Sequence, residues 1–204
     1  MNGRTAIITA LAVTILGSLY LIYSPSSSTF QMSDSKPAEE QPASHYPISG
    51  LEFKLSQISK SPPSLLVTLK NTHWKSTYTV LKWDTPLDPI APQLGVFKMV
   101  DADTGEEIGI PRIMVNRMLP PPRDALQEVA AGTEHAIEVV FDKPWMPEKK
   151  PAKYKIKVQG TFRAVWEKAA SEISDVELEG FAGPVGKAIT VGGFKSEEVV
   201  LTVE

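Results

Sequence analysis

The chain has 204 residues, 42% of them hydrophobic and 22% charged, with a net charge of −3. It contains no cysteine, which excludes disulfides, thiolate zinc sites and cysteine nucleophiles. The mild acidity, with no clustered basic surface, argues against nucleic acid as a partner.

The first element is an uncharged run. Arg4 is followed by no charge over residues 5–23. As a helix that run spans roughly 28 Å, about the thickness of a bilayer core. A cleavable signal has a shorter apolar stretch and a small-x-small site, and neither pattern is present here. Residues 1–23 therefore read as a signal anchor, with a cleaved signal peptide as the alternative. Arg4 keeps the amino terminus cytosolic and places the rest of the chain outside the cytosol. The expected address is a single-pass membrane protein with an extracytoplasmic domain, or else a secreted one. Residues 24–49 are rich in Ser, Pro and Glu and poor in large apolar residues. They read as a disordered linker, and His45 within it as a solvated side chain.

From Gly50 the pattern changes to period two. "LEFKL" sets Leu51, Phe53 and Leu55 against Glu52 and Lys54, and "SLLVTLKN" puts Leu65, Val67 and Leu69 on one face. Residues 77–83 read as a strand ending at Trp83. Residues 96–100 and 108–110 read as a hairpin around "DADTGEE". "AIEVVF", "KYKIKV" and "EEVVLTVE" repeat the alternation, whereas "EKAASEIS" has room for one or two helical turns at most. Residues 50–204 thus read as one all-β domain, an immunoglobulin-like β-sandwich of seven or eight strands.

The stretch "LKWDTPLDP" stops a strand abruptly. Pro86 and Pro89 lack a backbone donor, so a central strand cannot run through them. "TPLDPIAPQLG" is then a long connection whose Leu87 and Ile90 plug the open end of the core. The competing role for Trp83, Pro86, Leu87 and Ile90 is an exposed partner-binding loop.

Residues 51–162 also carry a resemblance. "VTLKNTHWKSTYTVLKWDTPLDP", then "GVFKMVDADTGEEIGIPRIMVNRMLPPPRDALQEVAAGTEHAIEVVFD", then "KPAKYKIKVQGTF" resemble in order and spacing the β-rich N-terminal or pro-region module of deuterolysin-type zinc metalloproteases. The family's catalysis needs HExxH, two His one helical turn apart with a Glu as base. The three His here, His45, His73 and His135, do not form it. The resemblance therefore implies a non-catalytic module and carries over no catalytic or metal residue. It implies a protein partner, a secreted protease or another protein.

Other chemistry is equally unsupported. No G-x-S-x-G elbow occurs, and "GPVGKAITVGG" lacks the spacing of a phosphate loop, so it reads as a glycine-rich loop. Asp101, Asp103, Glu106 and Glu107 read as a solvated turn rather than a Ca²⁺ site. "LPPPR" reads as a stiff inter-strand loop. The expectation is no enzyme and no cofactor. Two functions stand: an interaction module tethered to a membrane or secreted, and a carbohydrate- or surface-binding domain using Trp74, Trp83, Trp145 and Trp166.

Overall fold

The computed structural model describes residues 47–142, 144–180 and 190–204. The expected anchor over residues 5–23, His45 and most of both the linker and the glycine-rich loop lie outside the described residues. None of the described helices is long and apolar enough to cross a membrane.

Nine strands are present among the described residues, all paired antiparallel. One sheet is β1 (Leu51–Lys60), β2 (Pro63–Asn71) and β6 (Glu134–Val140), with β2 in the middle. The other is built on β7 (Ala152–Trp166), 15 residues long. Its first half is flanked by β4 (Phe97–Asp101) and β9 (Val199–Val203), its second by β3 (Tyr78–Leu81) and β8 (Thr190–Lys195). β5 (Leu126–Val129) adds to the far side of β3. Ile156 pairs with both Met99 and Val199, and Val165 with both Val80 and Thr190, so the neighbours of each half lie on opposite sides. Gln159 then donates its N–H to Val96 O, and Ser196 N donates to Val158 O. β3 and β4 therefore run along one side of β7, and β8 and β9 along the other. Residues 82–96 are an excursion between two strands that share one edge.

The alternating side chains of both sheets meet in a single core, where Phe53, Phe162 and Phe194 pack with ring centroids 5.0–5.8 Å apart. One position in that face is polar. Asn71 is fully buried at the end of β2, and its Nδ2 donates to Ser76 O, Val129 O and Ala130 O at 2.7–3.1 Å. Its Oδ1 accepts from the His73 N–H at 2.9 Å. One amide thus ties the end of β2 to the end of β5, satisfying carbonyls that burial would otherwise orphan. Pro47 bridges to Gly193 and Ile48 is buried in the core, so the folded part includes residues just ahead of Gly50.

A second, smaller core lies apart from the first, around Leu81, Trp83, Ala125, Leu126, Ala164, Trp166, Ile173 and Leu178. Its roof includes a single-turn 3-10 segment at Ala170–Glu172 and the short helix α1 (Asp175–Glu179). Ser174 caps α1: its hydroxyl accepts from the Glu177 N–H, and the Glu177 carboxylate accepts from the Ser174 N–H at 2.9 Å. The Lys168 ammonium donates to Glu177 at 2.6 Å. Those hydrogen bonds, Lys168 first and the Ser174 backbone next, pull the Glu177 carboxyl down to about 2. A folded value below the unfolded one contributes stability that is present above about 4.5 and is lost as pH falls toward about 2. Carboxyl-carbon NMR should show Glu177 still ionised at pH 3. A midpoint near 4.5 would remove the cap from the account.

The structure departs from the sequence expectations at four places. β3 ends at Leu81, with Trp83 in the following turn rather than in the strand. Residues 108–110 form no strand; the expected hairpin reduces to a Val100–Glu107 bridge. β5 and β8 are strands that the pattern did not announce. Two of the four have a local cause. Ile110 precedes Pro111, which removes a donor where a second arm would pair. β8 carries Gly192 and Gly193, which weaken intrinsic strand preference.

Candidate functional site

The sharp turn after β3 is built by three residues. Lys82 N still donates to Ala125 O, so β3's pairing continues one residue past its end. Asp84 then takes a positive φ of 57°, which Asp tolerates better than bulky residues. Arg163 holds the Asp84 carboxylate by an ion pair. Thr85 Oγ1 donates to Lys82 O at 2.7 Å and accepts from the Leu87 N–H at 3.2 Å, closing the turn.

At the centre sits Asp88, whose carboxylate is fully buried. It accepts from the Asp84 and Ile90 backbone N–H groups, each at 3.2 Å, and from Arg117 Nη2 at 2.5 Å. The Arg117 guanidinium also lies 5.4 Å from the centre of the Trp83 ring. One buried carboxylate therefore organises the loop and attaches a second segment to it, residues 109–121. That segment is further fixed where Ile113 N donates to Gln93 O at 3.0 Å. Arg112 lies over Gly95, where a Cβ would come within 2.5 Å of its Nε.

Of the loop residues singled out in the sequence, Trp83 is buried in the smaller core and Leu87 in the main one. Pro86 is also buried, and Ile90 is half-buried. The loop is thus a wedge with one side chain in each core. Ile90 faces a cleft of about 500 Å³ shared with Pro92 and with Ile137 and Val139 of β6.

The exposed apolar surface lies elsewhere. Ile113, Met114, Met118 and Leu119 are exposed within seven residues of each other, on the segment that Arg117 pins. The expectation of a strand at residues 108–110 and of a stiff inter-strand loop at "LPPPR" leaves this surface out. The signal available was the absence of alternation in "PRIMVNRML". Of the four Trp, Trp166 and Trp83 are buried and Trp145 packs edge-on against Phe141. Trp74 alone is exposed, with Lys75 Nζ 4.0 Å from its ring centre.

No group of three or more His, Cys, Asp or Glu converges on a metal position among the described residues. Asp101 Oδ1 accepts from the Thr104 N–H at 2.9 Å and the Asp103 N–H at 2.8 Å, which lowers its pKa, Thr104 most, and closes the turn. His73 Nδ1 accepts from the Ser76 N–H at 3.0 Å, also as a turn cap. Burial first, and the Lys82 charge second, hold His135 of β6 below its ordinary value.

The two-sheet arrangement has a family. A model described as an immunoglobulin-like domain matches residues 50–203. The chain belongs to the immunoglobulin-like domain family. It is also 34% identical over 146 residues to an uncharacterized secreted protein of Arthroderma benhamiae (strain ATCC MYA-4681 / CBS 112371), covering 71% of each chain. Neither match names a catalytic family or a deuterolysin-type protease. In this immunoglobulin-like domain the long β3–β4 connection does structural work at its base. Its only half-buried apolar residue ahead of the short 3-10 turn at Ala91–Gln93, Ile90, lines the cleft beside β6.

Proposed function

We propose that this immunoglobulin-like domain is a non-catalytic, extracytoplasmic interaction module that binds a protein partner. The observation that carries the reading is the apolar set Ile113, Met114, Met118 and Leu119, exposed on a segment fixed by a buried ion pair. Exposed apolar clusters on a soluble surface mark contact sites, and Met suits an adaptable one. A held segment also loses less entropy on binding than a loose one. The resemblance of residues 51–162 to a protease pro-region favours a secreted protease as the partner. The secreted relative supports an address outside the cytosol. Residues 5–23 are the proposed membrane or export segment, anchoring the chain if uncleaved. Mass spectrometry of the mature N-terminus decides between the two: a start between residues 18 and 30 makes the protein secreted.

The test uses Met114→Glu/Met118→Glu in the full-length chain with secreted proteases purified from the same culture. A complex on size exclusion that the double variant abolishes, with an unchanged melting curve, supports the reading. The second reading, carbohydrate binding, rests on exposed Trp74. Binding on a glycan array that Trp74→Ala removes, with no protease complex, would replace the first reading by the second.

A further inference from the structure

The sandwich covers its strand edges unequally. At β1, the Gln57 side chain donates to Thr202 O at 2.6 Å and accepts from the Thr202 N–H at 3.0 Å, and Glu204 N donates to Lys60 O. β1 is thereby closed against β9. The outer side of β4 is taken by the return segment, where Ile108 N donates to Met99 O. β5 is met by the roof of the smaller core, with Ala170 N donating to Glu128 Oε2 at 2.7 Å. β8 carries the Pro47 bridge. Among the described residues, β6 has a pairing partner on one side only.

The ladder says which groups that edge presents. Phe141 N donates to Pro63 O and Asn71 N to Thr133 O, so odd-numbered residues of β6 bond toward β2. By antiparallel alternation, the N–H and C=O of Ala136 and Glu138 point away from the sheet. Natural sheets cover or blunt such edges. This one is seven residues long, without proline or a lysine to block it.

The outer face of the same sheet specifies charge. Glu52 lies opposite Lys70, and Lys70 opposite Glu134, so charge alternates across three strands and ends on an acid at the open edge. Glu138, exposed four residues on, lies opposite Leu66 and has no cross-strand cation. A fourth strand would set cations against Glu134 and Glu138, with a small residue against Ala136 between them. Opposite charges directly across a strand pair are favourable. On its other face, side chains opposite Ile137, between the two cations, and opposite Val139, just beyond them, would point toward the cleft that Ile90 and Pro92 line, and a third would lie opposite His135.

We propose that the open edge of β6 takes an extended segment of a protein partner as an added antiparallel strand, with basic residues at positions i and i+4, a small residue at i+2 and apolar residues at the alternate positions. The proposal rests on the reading of the domain as a protein-binding module and names a surface separate from residues 113–119. Backbone hydrogen bonds supply affinity and alternate side chains specificity, as in other strand-addition complexes.

The probe is acetyl-Val-Lys-Val-Thr-Val-Lys-Val-amide, with the same peptide carrying Glu for both Lys as control. It is titrated into the full-length chain and followed by fluorescence anisotropy and amide hydrogen exchange. The Lys peptide should bind about fivefold to tenfold more tightly than the Glu peptide, from two cross-strand charge pairs. It should newly protect the Ala136 and Glu138 amides. Glu134→Lys/Glu138→Lys lies on exposed positions and should reverse the preference. Equal binding of both peptides, or protection at another edge, overturns the proposal. Protection of Ala136 and Glu138 that grows with protein concentration in the absence of peptide also overturns it, in favour of pairing between two copies. If neither peptide binds while the Met114- and Met118-dependent complex persists, the edge proposal fails and the module reading stands.

Discussion

Trp83→Ala should destabilise the domain by about 3–5 kcal/mol, the cost of removing a large buried aromatic and leaving a cavity. Trp83 is 7% exposed and packs in the smaller core with Trp166, Leu126 and Ala164. That cluster has few members, so little surrounding mass is available to collapse into the space. The loss extends to Arg117, whose guanidinium gives up the aromatic face 5.4 Å away. Leu87→Ala tests the other side of the same wedge. Leu87 is 3% exposed in the main core, and its truncation should cost about 2–4 kcal/mol. Urea denaturation of the single variants is the measurement. Midpoints unchanged in both would contradict the placement of this loop in the core. A loss in Leu87→Ala alone would show that the smaller core contributes nothing to global stability.

The period-two pattern was legible wherever one face of a strand meets the core and the other meets water. In β7, Tyr154, Ile156 and Val158 are buried while Lys153, Lys155 and Lys157 are exposed, as alternation requires. The same rule fails at the other end of that strand, where Ala164, Val165 and Trp166 are all buried. Both faces are covered there, one by the main core and one by the smaller, so alternation has nothing to report. β3, buried at all four positions, shows no alternation for the same reason. β8 was hidden by its glycines. Phe194 covers Gly160 of β7, where a Cβ would come within 2.6 Å of the ring. A packing demand across strands set that residue choice, and local propensity does not encode it. The apolar wedge of Leu87 was legible because proline spacing and an isolated Leu have a local meaning. The Asp88–Arg117 pair was not legible, because 29 residues separate partners whose types are ordinary surface types.

Asp88→Ala should cost about 3–5 kcal/mol, as removing one partner of a buried pair leaves the other uncompensated. The Asp88 side chain is fully buried and Arg117 is 18% exposed, so solvent can take over little of the lost interaction. The substitution also orphans the Asp84 and Ile90 N–H groups that now donate to the carboxylate. Arg117→Ala removes the pair from the other side but leaves those two donors satisfied. It leaves the fully buried Asp88 carboxylate without its cation, so it too should cost about 3–5 kcal/mol. Asp88→Ala/Arg117→Ala should fall short of the sum of the single losses by about 0.5–3 kcal/mol, the coupling expected of residues in contact. High salt should leave the coupling largely intact, because buried charges are screened little. The loop and the exposed apolar segment share this pair, so local order should change with stability. In either single variant, amide exchange over residues 109–121 should speed up more than exchange in β1 and β2. The proposed partner binding through Met114 and Met118 should then weaken even at temperatures where the sandwich stays folded. If exchange in residues 109–121 matched that of the unaltered protein in both variants, the ion pair would not be what holds that surface in place, and its rigidity would have to come from the Ile113–Gln93 hydrogen bond and the packing of Arg112 over Gly95.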